Sequence, residues 1–270
     1  MSEKITGRLR SINTFSNQWS RFNQLHIPAV GTTADNSFRR YLGSFDPENL
    51  RDCRVAEIGA GVGQSLFSMS RYAPRELIGY EPSEGFSFLQ RNMQDVANCR
   101  LVKKGGHDFD EIELDFVLSI GVIHHIPDPL RVVQNAYQSL RPGGKFVIWV
   151  YGNQLRRYVW LQKIARKLTA RINDSILDCI SGIVATVLTV YSQACVRLGA
   201  RWAPMYSYLT STFMEASVEL RKILVFDQLN PGWSEYYSES QLRELLMEGG
   251  FSSVVIEDIG GYSWTAMCTR

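Results

Sequence analysis

Short runs of consecutive apolar residues alternate with longer segments whose apolar positions recur every three or four residues. Val55–Ile58, Leu77–Tyr80, Phe116–Ile120 and Lys145–Val150 are runs of the first kind, and Leu101–Lys103 is a weaker one. A strand buried on both faces reads as a continuous apolar run rather than an alternation. Ser65–Tyr72, Phe86–Val96 and Leu130–Leu140 lie between them; the last places Leu130, Val133, Ala136, Tyr137 and Leu140 on one helical face. Arg141-Pro142-Gly143-Gly144 breaks that helix. Strands separated by helices of this length predict right-handed βαβ units and a parallel sheet covered on both faces.

The far end repeats the pattern once. Ser238–Met247 reads as a helix with Ser238 or Ser240 at its N-cap, ended by Gly249-Gly250. Phe251–Glu257 and Tyr262–Cys268 read as strands joined by the short Asp258-Ile259-Gly260-Gly261 linker, hence as an antiparallel hairpin. The expected fold is α/β and Rossmann-like: a mostly parallel seven-stranded sheet with an antiparallel last strand. Between Val150 and Ser238 the periodicity is helical throughout, with Leu155, Tyr158, Val159, Gln162, Ala165, Leu168 and Ile172 on one face. The expected organisation is an N-terminal segment and core over 1–150, a helical cap over 151–237, and a core-completing helix and hairpin over 238–270.

Composition narrows the class without naming it. The chain has 270 residues, 45% hydrophobic and 21% charged, which excludes disorder and coiled coil as the main architecture. Net charge is +2, but residues 151–205 hold eight basic and two acidic side chains, a local net of +6. Cys53, Cys99, Cys179, Cys195 and Cys268 are odd in number and widely spaced, with no CxxC. They fit a reducing cytosol better than a disulfide framework or a thiolate zinc site. Met1–Arg10 carries charges and no apolar run, so a cytoplasmic location is expected.

The chemistry is concentrated in Glu57-Ile58-Gly59-Ala60-Gly61-Val62-Gly63-Gln64, where a buried strand ends in a glycine turn that runs into a helix. Glycines there let the backbone approach a ligand closely. A dinucleotide fingerprint needs its third glycine where Gln64 stands, which disfavours an NAD-dependent oxidoreductase. Glu57 at the strand end suits a ligand with a positive group. Glu81 closes the next strand, 18 residues after Gly63, where a carboxylate can accept from both hydroxyls of a ribose. A positive amino group and a ribose together describe S-adenosylmethionine.

With these residues in place, the chain resembles the class I S-adenosylmethionine-dependent methyltransferases. The resemblance runs through Glu57–Gly63, Gly79-Tyr80-Glu81-Pro82-Ser83, Asp115-Phe116-Val117-Leu118-Ser119, Ile123-His124-His125-Ile126-Pro127-Asp128-Pro129 and Leu140-Arg141-Pro142-Gly143-Gly144, in order across about residues 53–150. It implies cofactor contacts at Glu57, Gly59, Ala60, Gly61, Gly63, Glu81, Ser119 and Gly121, over the carboxyl ends of the strands. The family's acid after the third strand has no clean counterpart, and His107 or Asp108 stands in its place.

The acceptor is not legible in these motifs. His124 and His125 follow the Phe116–Ile120 strand, and one of them is a candidate general base, since imidazole titrates near neutral pH; the alternative is that they only shape the pocket. Phe226–Tyr237 reads as an aromatic, turn-rich loop in which Asp227, Trp233 and Tyr236 are candidates to line the acceptor pocket. Phe15–Phe22 reads as a lid over the cofactor or as packing on the sheet edge, with packing favoured. Four histidines at these spacings make no metal site. The leading function is a methyltransferase acting on a small-molecule, sugar- or lipid-linked acceptor. The alternatives are a cofactor-binding or membrane-associated regulator without turnover. Nucleic acid is disfavoured as a partner, because no RNA-binding module is present and only the basic insertion speaks for it. That insertion is also a candidate for peripheral membrane contact, and its uncharged Cys179–Val196 stretch is expected to be a buried cap helix.

Overall fold

The computed structural model describes residues 12–13, 15–17, 19, 35–169, 172–230 and 233–270. It groups into two compact units: one of residues up to 153 with 232–259 and 263–270, the other of 154–231 with 260–262.

The first unit is built on a seven-stranded sheet: β1 (Arg54–Ile58), β2 (Glu76–Tyr80), β3 (Cys99–Val102), β4 (Leu114–Ile120), β5 (Leu140–Tyr151), β6 (Ser253–Ile259) and β7 (Ser263–Thr269). Their order is β3-β2-β1-β4-β5-β7-β6, and β7 alone runs antiparallel to its neighbours. The expected fold class is the observed one. Helices α1 (Gln64–Ser70), α2 (Gly85–Met93) and α3 (Pro129–Ser139) make the crossovers, and a helix over 156–169 begins the second unit as α4 (Arg156–Thr169). One sheet face packs Val55, Leu77, Leu118 and Val147 against Leu66 and Met69 of α1 and Leu89 of α2; the other packs Ile58, Val117, Phe146 and Ile148 against Val132, Val133 and Ala136 of α3. Both faces are dry, which is why the core strands read as unbroken apolar runs. The strand order reverses between β1 and β4, and an open α/β sheet binds ligands outside the strand ends at such a reversal.

β5 starts five residues earlier than expected. The helix ends at Ser139 as expected, but Leu140 already pairs with Leu114; the register then shifts, and regular pairing resumes at Phe116 with Lys145, so the Pro-Gly-Gly stretch is absorbed as an irregularity within the strand.

The second unit contains α4, α5 (Asp174–Arg197) and α6 (Val218–Leu229), with a π-helical turn at Leu209–Phe213. Ala185, Leu209, Phe213 and Val225 form its core. The Cys179–Val196 stretch, expected to be a buried cap helix, lies in α5 and buries one side only: Leu177, Ser181, Ala185, Ser192 and Cys195 are buried, while Ile176, Ile183, Val187 and Val190 are exposed. Arg166 on α4 donates to the carbonyls of Asp227 and Gln228, and Thr169 donates to that of Leu229, so α4 satisfies the open carboxyl end of α6. The last helix of the chain, α7 (Glu239–Glu248), returns to the first unit with Ser238 as N-cap in a reciprocal capping box with Gln241. The loop expected over Phe226–Tyr237 is helical as far as Leu229, because Val218, Leu220 and Ile223–Phe226 continue an apolar helical face into it.

Candidate active site

The turn after β1 is held from both sides. The N–H groups of Gly59 and Ala60 both donate to the Tyr80 carbonyl, at 2.8 and 2.9 Å. Glu81, which is buried, accepts from the Gly61 N–H through Oε2 and from the Ser83 N–H through Oε1, each at 2.8 Å. One carboxylate thus braces the glycine turn and the turn after β2 together, and its remaining lone pairs are available to hydroxyls. Gly59 has φ +79°, and a Cβ there would sit 2.5 Å from Val122. Gly59→Ala combines left-handed strain, about 1–2 kcal/mol, with overpacking of about 1–3 kcal/mol. A lower melting temperature and loss of cofactor binding are expected; a variant that melts and binds as the wild type would show that the turn is not rigid.

Glu57 is the unusual group. It is 1% exposed, hydrogen-bonded to Ser65, and its Oε2 has no hydrogen-bond partner. Burial, partly offset by Ser65 and reinforced by the charge of Glu81, pushes its carboxyl up to about 8. A buried carboxylate oxygen without a partner is costly unless a ligand supplies one.

Gly61, with φ +57°, lies against the indole of Trp19, and Trp19 also covers Gly85. Ser16 accepts from the Glu84 N–H, and the Phe15 ring meets His125 edge-on at 4.9 Å. Trp19 therefore packs on the glycine turn and Phe15 on His125. Residues 18 and 20–22 of the Phe15–Phe22 stretch lie outside the described ones.

Past β4, Gly121 turns the chain with φ +79° into Ile123-His124-His125. The Tyr151 N–H approaches His124 Nδ1 at 3.4 Å; a backbone N–H can only donate, so that nitrogen accepts and the neutral ring carries its proton on Nε2. His125 is the reverse. Its Nδ1 lies 2.9 Å from the Trp233 carbonyl, which can only accept, so Nδ1 donates and Nε2 keeps the lone pair. Ser234 Oγ lies 3.0 Å from the same nitrogen. His124 stacks on Tyr151 at 3.9 Å, and Tyr151 stacks on Tyr236 at 5.7 Å.

The structure gathers Glu57, Gly59, Ala60, Gly61, Gly63 and Glu81 at the carboxyl ends of β1 and β2, and Gly121, His124 and His125 beyond that of β4. His107 and Asp108 follow β3 in a short turn, where the Asn135 amide donates to the Gly106 and His107 carbonyls. Ser119 is fully buried, and its hydroxyl donates to the Ile58 carbonyl, tying β4 to β1. Asp227 lies on α6 in the other unit. Sequence reasoning missed Tyr151, which fell just past the expected strand end at Val150 and was counted with the insertion, and the second task of Glu81 in bracing the turn.

Residues 56–148 match the model of a methyltransferase domain. Over that stretch the chain is similar to methyltransferase domains, in keeping with the resemblance to the class I S-adenosylmethionine-dependent enzymes. A tRNA U34 carboxymethyltransferase of Sulfurimonas denitrificans is 32% identical over 104 residues, covering 37% of this chain and 35% of the relative. One of Campylobacter fetus is 31% identical over 117 residues, covering 42% and 41%. The chain thus spans well under half the length of these relatives. An S-adenosylmethionine-dependent methyltransferase of Thermotoga maritima shares the fold, with a TM-score of 0.52 at 15% identity, over 94% of this chain and 99% of that one.

The relatives correct one expectation. They are named for a tRNA substrate, which overturns the reading that disfavoured nucleic acid and preferred a small-molecule, sugar- or lipid-linked acceptor. The physical reason is that the recognisable motifs all belong to the cofactor cradle, and a whole-chain charge of +2 averages away the local +6 of residues 151–205.

The methyltransferase domain has S-adenosylmethionine as its cofactor, and the residues present fit it. The unpartnered oxygen of Glu57 suits a cationic group, and Glu81, which braces the glycine turn, suits the ribose hydroxyls. His107 and Asp108 remain the candidates for the adenine end.

Proposed function

We propose that this chain is an S-adenosylmethionine-dependent methyltransferase whose acceptor is a tRNA. The observation that carries the cofactor half is the buried, partly unsatisfied Glu57 carboxyl beside a glycine turn braced by Glu81. The name of the relatives supports the acceptor half, and so does one face of α4. Arg156, Trp160, Lys163 and Lys167 recur there at helical spacing, all exposed, Trp160 at 62%. Exposed cations in a row neutralise phosphates, and an exposed indole among them offers a stacking surface to an unpaired base. Such an acceptor also agrees with the expected cytoplasmic location.

The bound cofactor supplies an activated methyl carbon, so the protein's work is mostly positioning and exclusion of water. His125, held by the Trp233 carbonyl, presents a basic Nε2 that can take a proton from the attacking atom of the acceptor. His124 is assigned to shaping the wall through its stack on Tyr151, and Tyr236 continues that wall. The helical unit is assigned to acceptor recognition.

Tritium from methyl-labelled S-adenosylmethionine should enter bulk tRNA in a ribonuclease-sensitive form; label that stays out of RNA would refute the acceptor. In the doubly reversed Lys163→Glu, Lys167→Glu variant, tRNA binding should weaken roughly 10-fold or more. The salt dependence should flatten by about one unit of slope for each phosphate no longer neutralised. Cofactor affinity should be unchanged. Wild-type RNA affinity in that variant would remove α4 from the RNA-binding surface.

A further inference from the structure

Residues 233–237 form a strap across the carboxyl ends of β4 and β5. The Glu235 N–H donates to the His124 carbonyl at 2.8 Å, and the Tyr237 N–H to the Tyr151 carbonyl at 3.0 Å. The Tyr237 carbonyl accepts in turn from the Asn153 N–H and from the Trp264 indole. Tyr236, between them, is buried and stacks on Tyr151. Backbone bonds thus fix the strap on its carboxyl side, and its first two residues are held against the ring of His125.

Two oxygens of the strap converge there on one nitrogen. The Trp233 carbonyl lies 2.9 Å from His125 Nδ1 and the half-buried Ser234 hydroxyl 3.0 Å from it. The carbonyl alone sets the tautomer, since a bare Nδ1 would point its lone pair at another lone pair. The Nδ1–H is therefore shared between two acceptors, of which the tautomer needs one. The second matters in two ways. The χ2 torsion of an imidazole is broad, and a second acceptor on the same N–H narrows it. When the acceptor atom gives its proton to Nε2, the ring becomes a cation with Nδ1–H intact, and that N–H is a stronger donor than before. A hydroxyl dipole stabilises the cation without the desolvation cost that a buried carboxylate would add.

We propose that Ser234 is a positioning residue for His125: its hydroxyl orients the imidazole and stabilises the cation formed when Nε2 takes a proton. The inference rests on the reading of His125 as the base and deepens it. Ser234 stands 109 residues from His125, beyond the whole insertion, so no local motif joins the two.

Ser234→Thr and Ser234→Val differ by a hydroxyl in place of a methyl, which separates the bond from the volume. In Ser234→Val, transfer from methyl-labelled S-adenosylmethionine to bulk tRNA should turn over roughly 10-fold more slowly, the worth of one hydrogen bond to a group that becomes charged. The KM for the cofactor should not change, and Ser234→Thr should stay close to the wild type. In protein carrying isotope-labelled histidine, the Nδ1–H resonance of His125, identified by its loss in His125→Ala, should move in the valine variant and hold its place in the threonine variant. Should Ser234→Val misfold, Ser234→Ala takes its place. Where His125→Ala is impaired, equal turnover in the threonine and valine variants overturns the proposal. Where His125→Ala keeps full turnover, or tRNA takes up no label, it is the reading of the base or of the acceptor that fails, and the resonance decides for Ser234: displacement by valine alone upholds its hold on the ring, and the same position in both variants overturns it.

Discussion

Replacing Glu57 by glutamine should strengthen the fold and nearly abolish cofactor binding. The two effects have one cause. The buried carboxyl titrates at about 8 in the folded chain against 4.5 as the ordinary value. A carboxyl raised on folding helps stability fully below its unfolded value and loses that help as pH climbs to its folded value. The wild type therefore gives up stability between pH 4.5 and about 8. The glutamine variant, neutral at every pH, should melt higher at pH 8, by on the order of a few kcal/mol. The difference should close towards acid pH. Binding runs the other way. A cationic ligand needs the carboxylate, so wild-type affinity for S-adenosylmethionine should rise with pH and level off above about 8. Removing one partner of a buried ion pair costs about 3–5 kcal/mol, or at least roughly 100-fold in affinity at high pH. Binding titrations and melting curves across this pH range check both signs. A variant that binds as the wild type while melting higher would separate Glu57 from the cofactor.

His125→Ala should lower turnover about 100-fold or more and leave cofactor affinity near that of the wild type. The expectation rests on tautomers set by partners that have no choice: the Trp233 carbonyl fixes Nδ1–H on His125, and the Tyr151 N–H makes Nδ1 of His124 an acceptor. Only His125 then offers a basic Nε2. His124→Ala should act through stability, because it removes a ring stacked at 3.9 Å on Tyr151 and opens a cavity beside β5. Single-turnover rates with saturating cofactor, set beside melting temperatures, separate the two. Full activity in His125→Ala would show that the methyl group is transferred without a base, and equal losses at both positions would assign both to positioning.

The sheet was legible because its chemistry is local and repetitive. Val55–Ile58 and Phe116–Ile120 are buried on both faces, and nothing but a parallel strand suits such a run between two helices. The cradle was legible for a related reason: a glycine turn with Glu57 before it and Glu81 at the next strand end states its ligand's charges in sequence. What stayed hidden depends on distant pairings. The tautomer of His125 is set by Trp233, 108 residues away, and the wall beside the histidines is made by Tyr151 and Tyr236 from different elements. The exposed line on α5 was hidden because apolar spacing alone cannot tell a buried face from an unpartnered one. Both lines of that helix satisfy the same period, and only their surroundings separate Ala185 from Val187.

The most direct measurement is a calorimetric titration of the full chain with S-adenosylmethionine and, separately, with NAD. Saturable one-to-one binding of S-adenosylmethionine, lost in Gly59→Ala, with no binding of NAD, is the predicted result. No heat with S-adenosylmethionine, or tighter binding of NAD, would contradict the assignment of the cradle.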